Sequence, residues 1–368
     1  MNRIKYILTT AIFAVFVFSV SAACYMKSDA QYSDSERREL ATRPEMSVET
    51  ISSGEFMDGF EKYSADQFPL REKLRSLKAM FSTKLLNKLD NNGLFTAGGH
   101  ISKIDEKQNE YMMNYSSELF AKIVNQYMTD KNVKLYFSIV PDKNFILAPQ
   151  YSYPSLNYHE FIEGMRNRTE FMSYVDITPL LSLDDYYNTD THWRQENITD
   201  IAQLLAEEMG SVIPETTYTV NTLDNPFYGV YAGQLAMKMK PDTIKYLTNK
   251  VMDDFIVTYY DNGTPEVRDM YNMKKAYGKD PYEMFLSGVA PLITIENPSA
   301  QTKKELVLFR DSFGSSIAPL LAQGYSKVTV VDIRYIQSSF LGNFVDFENC
   351  DVLFLYSTAL LNNSLAMK

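Results

Sequence analysis

The stretch from Glu305 to Ile333 constrains the fold most. It reads ELVLF (305–309), then RDSFG, then SSIAPLLAQG ending at Gly324, then KVTVVDI (327–333). Two apolar, β-branched runs without polar alternation, separated by a helix-length segment, mark parallel strands buried on both faces. A third run, DVLFLY (351–356), follows. Earlier, VKLYFSIVPDK (133–143) reads as a buried strand ended by a Pro-Asp turn, and FMSYVDI (171–177) as a shorter one. Strands alternating with helices predict an α/β protein with a mainly parallel sheet.

Other segments differ. From SVETISSGEF through MFSTKLL the apolar residues recur at helical spacing and predict two amphipathic helices broken at Pro69. RQENITDIAQLLAEEMG, after Trp193, predicts a helix of about four turns closed by Gly210. The block from about 211 to 300 has short alternating runs and many turn residues and reads as a mainly β insertion. The expected division is a leader at 1–26, a spacer with an N-terminal helical extension at 27–95, and the α/β domain with its insertion at 96–368.

The leader carries Arg3 and Lys5 ahead of 21 uncharged residues, Tyr6 to Met26. A basic end before an apolar run is the pattern of a secretory signal or an uncleaved membrane anchor, and either places the remainder outside the cytoplasm, on the cell surface or periplasmic side. Removing those two positive charges from a net −10 leaves −12 for the rest. That acidity disfavours nucleic acid and anionic lipid as partners. The two cysteines, Cys24 and Cys350, offer no disulfide framework, and no Cys/His spacing suits a metal. Five Asn-x-Ser/Thr sites occur, Asn262 among them.

Two short stretches carry chemistry. In RDSFG a buried strand ends at Arg310 and runs through Asp311, Ser312, Phe313 and Gly314 into a helix. Ligands of open α/β sheets bind at such carboxyl ends. A serine there exposes its Oγ, backbone N–H groups can hold an oxyanion, and Gly314 would let a substrate approach closely. An Asp or Ser at this junction also suits a helix cap. In YYNTDTHW, Asp190 stands two residues before His192, one of three histidines, beside Trp193, the one tryptophan. Either Asp190 or Thr191 caps the following helix, or Asp190 fixes the tautomer of a basic His192. Serine, base and orienting acid are the parts of an acyl-transfer site, and a functioning trio needs Ser312 and His192 within about 3 Å. His100 and His159 read as packing or surface residues.

The blocks SERRELATRPEMS, SGEFMDGFEKYSADQFPLREKLRSLKA, NNGLF, VPDK, YYNTDTHW, DPYEMFLSGVAPLITIENP and RDSFGSSIAPLLAQGYSKVTVVDIRY occur in that order. In them the chain resembles the bacterial DHHW proteins, relatives of the alginate O-acetyltransferase, SGNH-hydrolase-like group, from about residue 34 to near its end. The resemblance implies an SGNH-like three-layer α/β/α sandwich, with Ser312 as nucleophile, His192 as base and Asp190 as its orienting acid. Gly314, Gly288, Tyr187, Trp193 and Arg310 become candidates for substrate or oxyanion contacts. Two positions depart from the pattern. Thr191 replaces the second residue of Asp-His-His-Trp, and Val289 follows Gly288 where an asparagine would supply an oxyanion donor.

The implied activity is O-acyl transfer, expected to be acetyl, to or from a surface polysaccharide, with no cofactor and no metal. A transferase outside the membrane would draw acetyl groups from a membrane-bound O-acyltransferase. A second reading is a non-catalytic envelope protein that stacks sugars on tyrosines such as Tyr186, Tyr187, Tyr228, Tyr231, Tyr259 and Tyr260.

Overall fold

Along each central strand successive apolar side chains go to opposite faces of one sheet, and both faces are covered. Leu306, Leu308, Leu353 and Leu355 join one apolar cluster, while Val307, Phe309, Val352 and Phe354 join another. This is how an uninterrupted apolar run becomes a doubly buried strand. The computed structural model describes residues 2–261 and 263–368, so Asn262 lies outside the described residues.

The chain forms two compact units, one running up to Asn92 and including Ala232–Met239, the other comprising Gly93–Tyr231 and Lys240–Lys368. The division lies a few residues before the 95/96 boundary expected from sequence. The first unit begins with helix α1 (Asn2–Met26), which is long and apolar enough to cross a membrane and is unburied. After a short hairpin (Tyr32–Ser33 with Arg38–Glu39) come a single-turn helix at Val48–Ser53, α2 (Glu55–Asp66) and α3 (Arg71–Met80). Pro69 separates α2 from α3 as expected, and a π-helical turn, Phe81–Leu85, extends α3.

The second unit is built on an eight-stranded sheet. In chain order its strands are β1 (Lys134–Val140), β2 (Ser173–Tyr174), β3 (Ile256–Tyr259), β4 (Glu266–Val267), β5 (Leu292–Glu296), β6 (Glu305–Arg310), β7 (Lys327–Val331) and β8 (Cys350–Ser357). Their spatial order is β4-β3-β5-β7-β6-β8-β1-β2. The five strands from β7 to β2 pair in parallel, and β4, β3 and β5 extend the sheet antiparallel. Helices α4 (Glu110–Tyr127) and α5 (Tyr158–Arg168) bury Phe120, Ile123, Phe161 and Met165 on one face. Helices α6 (Thr199–Glu208) and α7 (Gly314–Leu321) bury Ile201, Leu205, Ile317 and Leu321 on the other. The result is the three-layer α/β/α sandwich.

The β-rich block 211–300 carries its own two-stranded sheet, Thr219–Thr222 with Lys245–Thr248, and also contributes to the main sheet. Its strands β3, β4 and β5 join the main sheet, because Ile293 and Ile295 of β5 are needed in the same apolar cluster as Leu306. The helix after Trp193 starts only at Thr199, behind a 3₁₀ turn at Gln195–Asn197. Neither Asp190 nor Thr191 caps it, and His192 stands outside its first turn.

Candidate active site

The carboxyl ends of β6, β8 and β1 lie side by side, as ligand sites of open α/β sheets require. The chain leaves β6 through Asp311, whose Oδ2 accepts the Ser357 N–H from the end of β8 (2.8 Å) and whose Oδ1 accepts the Phe313 N–H (3.0 Å). The buried Asp311 thus ties two strand ends together and shapes the elbow. Ser312 does not cap α7; the cap position falls on Phe313, without a side-chain cap. The serine hydroxyl is left to point away.

It meets His192. The imidazole Nε2 lies 2.7 Å from Ser312 Oγ, and Nδ1 lies 2.6 Å from Asp190 Oδ1. Asp190 is fully buried while the His192 side chain keeps 13% of its surface exposed. Asp190 Oδ1 also accepts the His192 N–H (3.1 Å), and its Oδ2 accepts the Val230 N–H (2.9 Å). A carboxylate so held presents one oxygen to Nδ1 and fixes the proton there, leaving Nε2 free to accept from a hydroxyl. Gly229 makes room for this: a Cβ on it would fall 2.4 Å from Asp190 Cα.

The loop carrying Asp190 and His192 is tied from several sides. Asp242, buried, accepts the Asn188 N–H (2.9 Å), the Thr189 N–H (2.7 Å), the Thr189 hydroxyl (2.6 Å) and the Arg194 guanidinium (2.8 Å). Lys143 Nζ donates to the Tyr187 carbonyl (2.6 Å) and the Asn188 carbonyl (3.3 Å). Burial pushes the Lys143 ammonium down to about 7, while the nearby Asp190 and Asp242 favour its charge. Thr191 Oγ1 accepts the Tyr231 hydroxyl (3.2 Å).

Tyr282 lies flat on His192, with ring centroids 3.9 Å apart and planes 8° from parallel, and its hydroxyl contacts Ser316 Oγ (3.0 Å). Phe313 tilts against the imidazole at 5.1 Å. Neither Tyr282, Asp242 nor Lys143 was picked out from the sequence as a site residue. Tyr282 and Lys143 did lie in the quoted blocks DPYEMF and VPDK, the one available signal.

The remaining candidates are support rather than contact residues. Trp193 is fully buried and donates its Nε1–H to the Phe313 carbonyl (3.0 Å) and Ser316 Oγ (2.9 Å), clamping the elbow from beneath. Arg310 is buried, ion-paired with Asp332 (3.3 Å) and bonded to the Gly288 carbonyl (3.4 Å), so its charge is spent inside. Gly314 admits no substrate. A Cβ there would come 2.4 Å from Arg310 Cβ, so its smallness lets α7 pack on β6, and its N–H is bonded to the Asp311 carbonyl (3.1 Å). Gly288 sits at φ +69° with its N–H on the Phe285 carbonyl (3.1 Å), and is no oxyanion donor. Val289 beside it is half exposed. Tyr187 is buried among Phe227 and Tyr282. Tyr186 and Tyr259 are likewise fully buried, which removes them and Tyr187 as a sugar-stacking surface.

A mainly parallel sheet in an α/β/α sandwich, with serine at a strand-to-helix elbow, agrees with the SGNH-hydrolase-like fold class expected from the sequence. No family model matches the chain, and no curated protein matches it. Solved structures do. A DHHW family protein from Eubacterium siraeum superposes with a TM-score of 0.58 at 19% identity, over 75% of this chain and 94% of that one. PatB1 from Bacillus cereus, solved with a sulfonyl adduct, gives a TM-score of 0.57 at 22% identity, over 73% of this chain and 95% of that one. The chain shares their fold.

Proposed function

We propose that the chain is an extracytoplasmic serine-dependent O-acyltransferase or acyl esterase acting on a polysaccharide, with acetyl as the acyl group. The observation that carries this reading is the unbroken hydrogen-bonded run from Asp190 through His192 to Ser312, with links of 2.6 and 2.7 Å. Ser312 Oγ attacks the acyl carbonyl while His192 Nε2 takes the hydroxyl proton. Asp190 stabilises the resulting imidazolium through Nδ1–H. The developing oxyanion rests on the Ser312 N–H at the elbow, since the Gly288 and Gly314 amides are committed elsewhere. His192 then returns the proton to the leaving oxygen. In the second half His192 takes the proton of an acceptor, a sugar hydroxyl for transfer or water for hydrolysis, as its oxygen attacks the acyl carbon; the bond to Ser312 Oγ breaks and the proton returns to Oγ.

The apolar α1 supports a place at or beyond a membrane, as signal or anchor. Acyl groups would then reach Ser312 from a membrane-bound O-acyltransferase.

A sulfonyl fluoride tests the nucleophile without knowledge of the glycan. Attack by Ser312 Oγ forms a sulfonate ester, fluoride leaves, and His192 takes the proton. The expected result is a single adduct mapping to the peptide that contains Ser312, together with turnover of an activated acetate ester. Turnover should fall about a thousandfold or more in Ser312→Ala and His192→Ala. A folded wild-type chain inert to both reagents would sink the proposal.

A further inference from the structure

Helix α3 is amphipathic in reverse. The face it turns to its own unit is charged: Arg71 and Arg75 pair with Glu36 at 2.6 and 3.2 Å, and only Ala79 is buried beside them. The face it turns outward is apolar. Leu70, Leu74, Leu77 and Phe81 are 67, 44, 55 and 50% exposed. Their spacing of i, i+4, i+7 and i+11 makes one narrow stripe. At about 100° per residue, Lys73 and Lys78 fall on either side of it. Leu85, in the π-helical turn, and Leu89 continue the apolar surface. Between Leu70 and Leu89 stand six basic residues and one acid, in a chain whose net charge is −10.

We propose that this stripe lies in the headgroup region of an anionic lipid bilayer, as a second membrane contact besides α1. A soluble unit does not spend ion pairs inside and leave its leucines in water without a partner for them. Lysine at the rim of the stripe selects the partner. Protein interfaces are depleted in lysine, whereas an interfacial helix buries its apolar face and lets flanking lysines reach lipid phosphates. The local positive charge opposes the acidity of the rest of the chain and complements an anionic surface. Continuity with α1 adds to this. Cys24 and Tyr25, near the end of α1, line one pocket of about 700 Å³ with Phe60 and Tyr63 of α2, in the same unit as the stripe. Pro69 and Leu70 follow α2 closely, so α3 starts near that end of α1.

The test uses the full chain in a Cys24→Ser background, reconstituted in vesicles of phosphatidylcholine with a minority of phosphatidylglycerol and a doxyl-labelled lipid. A polarity-sensitive dye is attached through Leu77→Cys or, on the flank away from the stripe, through Ser76→Cys. The dye at position 77 should be blue-shifted and quenched several-fold more strongly than the dye at position 76. Adding Lys73→Glu with Lys84→Glu, both exposed, should reduce the quenching at 77 while the unfolding transition stays in place. Equal quenching at the two positions overturns the proposal. So does a dye at 77 that remains in water in the vesicles, the result a protein partner on this face would give.

Discussion

Gly314 decides the geometry of the elbow by what it lacks. The Cβ that alanine would add lies 2.4 Å from Arg310 Cβ and 2.8 Å from its Cγ. Arg310 cannot yield, because its guanidinium is paired with Asp332 and its backbone continues β6. The first turn of α7 must therefore lift, and Ser312 lies just ahead of that turn. Gly314→Ala should destabilise the second unit by about 1–3 kcal/mol, the usual cost of overpacking. It should also lower ester turnover by at least about tenfold, since proton transfer depends on the short link between Ser312 and His192. Urea unfolding and activated-ester assays read the two effects separately, and full activity in the variant would show that the elbow tolerates the lift. The sequence announced this glycine but not its reason. A glycine two residues after the serine suggests space for a ligand, whereas the neighbour it accommodates is a side chain four residues back.

The loop from Tyr186 to Trp193 is ordered by its partners more than by its own propensity. Its ends close on each other in a bridge between Tyr186 and Trp193, and Asp242 gathers two amides, a hydroxyl and a guanidinium along its length. Asp242→Asn leaves one acceptor oxygen where two charged ones served, and places an amide donor against N–H groups. A cost of about 2–3 kcal/mol follows from losing hydrogen bonds to a buried charged group. If Asp242 also positions His192, the activated-ester kcat should fall more than KM changes, because the damage reaches the base rather than the substrate. A variant with lowered stability and unchanged kcat would confine Asp242 to a structural role. Asp-x-His was legible in sequence because both partners sit within three residues. Asp242 was not, since an aspartate about fifty residues further on carries no spacing signal that links it to the loop. The expected helix cap failed because the helix begins only at Thr199, and the Asp190 carboxylate is taken by His192 and by the Val230 N–H instead.

On the scale of the whole molecule, what was legible is the part where one pattern has one solution. Strands apolar on both faces must be sandwiched, so β6, β7, β8 and β1 and their two helical layers followed from residue types alone. The antiparallel edge did not, because β3 and β4 are too short for their pairing to be read from alternation. Burial of cations in this sandwich has a consequence for pH. His100, in the hairpin formed by Leu94–Ala97 and His100–Lys103, is held down to about 4 from its ordinary 6.5 by burial and then by the Lys143 charge; Asp242 and Asp184 oppose the shift and Arg194 adds to it. The folded state therefore prefers the neutral imidazole. Between pH 4 and 6.5 the unfolded chain binds more protons at this position, so its contribution to stability is complete above 6.5 and is lost as pH falls towards 4. His100→Gln removes that term. Urea midpoints should rise less steeply with pH across this window in the variant than in wild type, with the two slopes converging above about pH 7, where neither position titrates. Equal slopes across the window would mean that His100 finds water or a proton acceptor in the folded state, and that its buried Nδ1 is not held neutral.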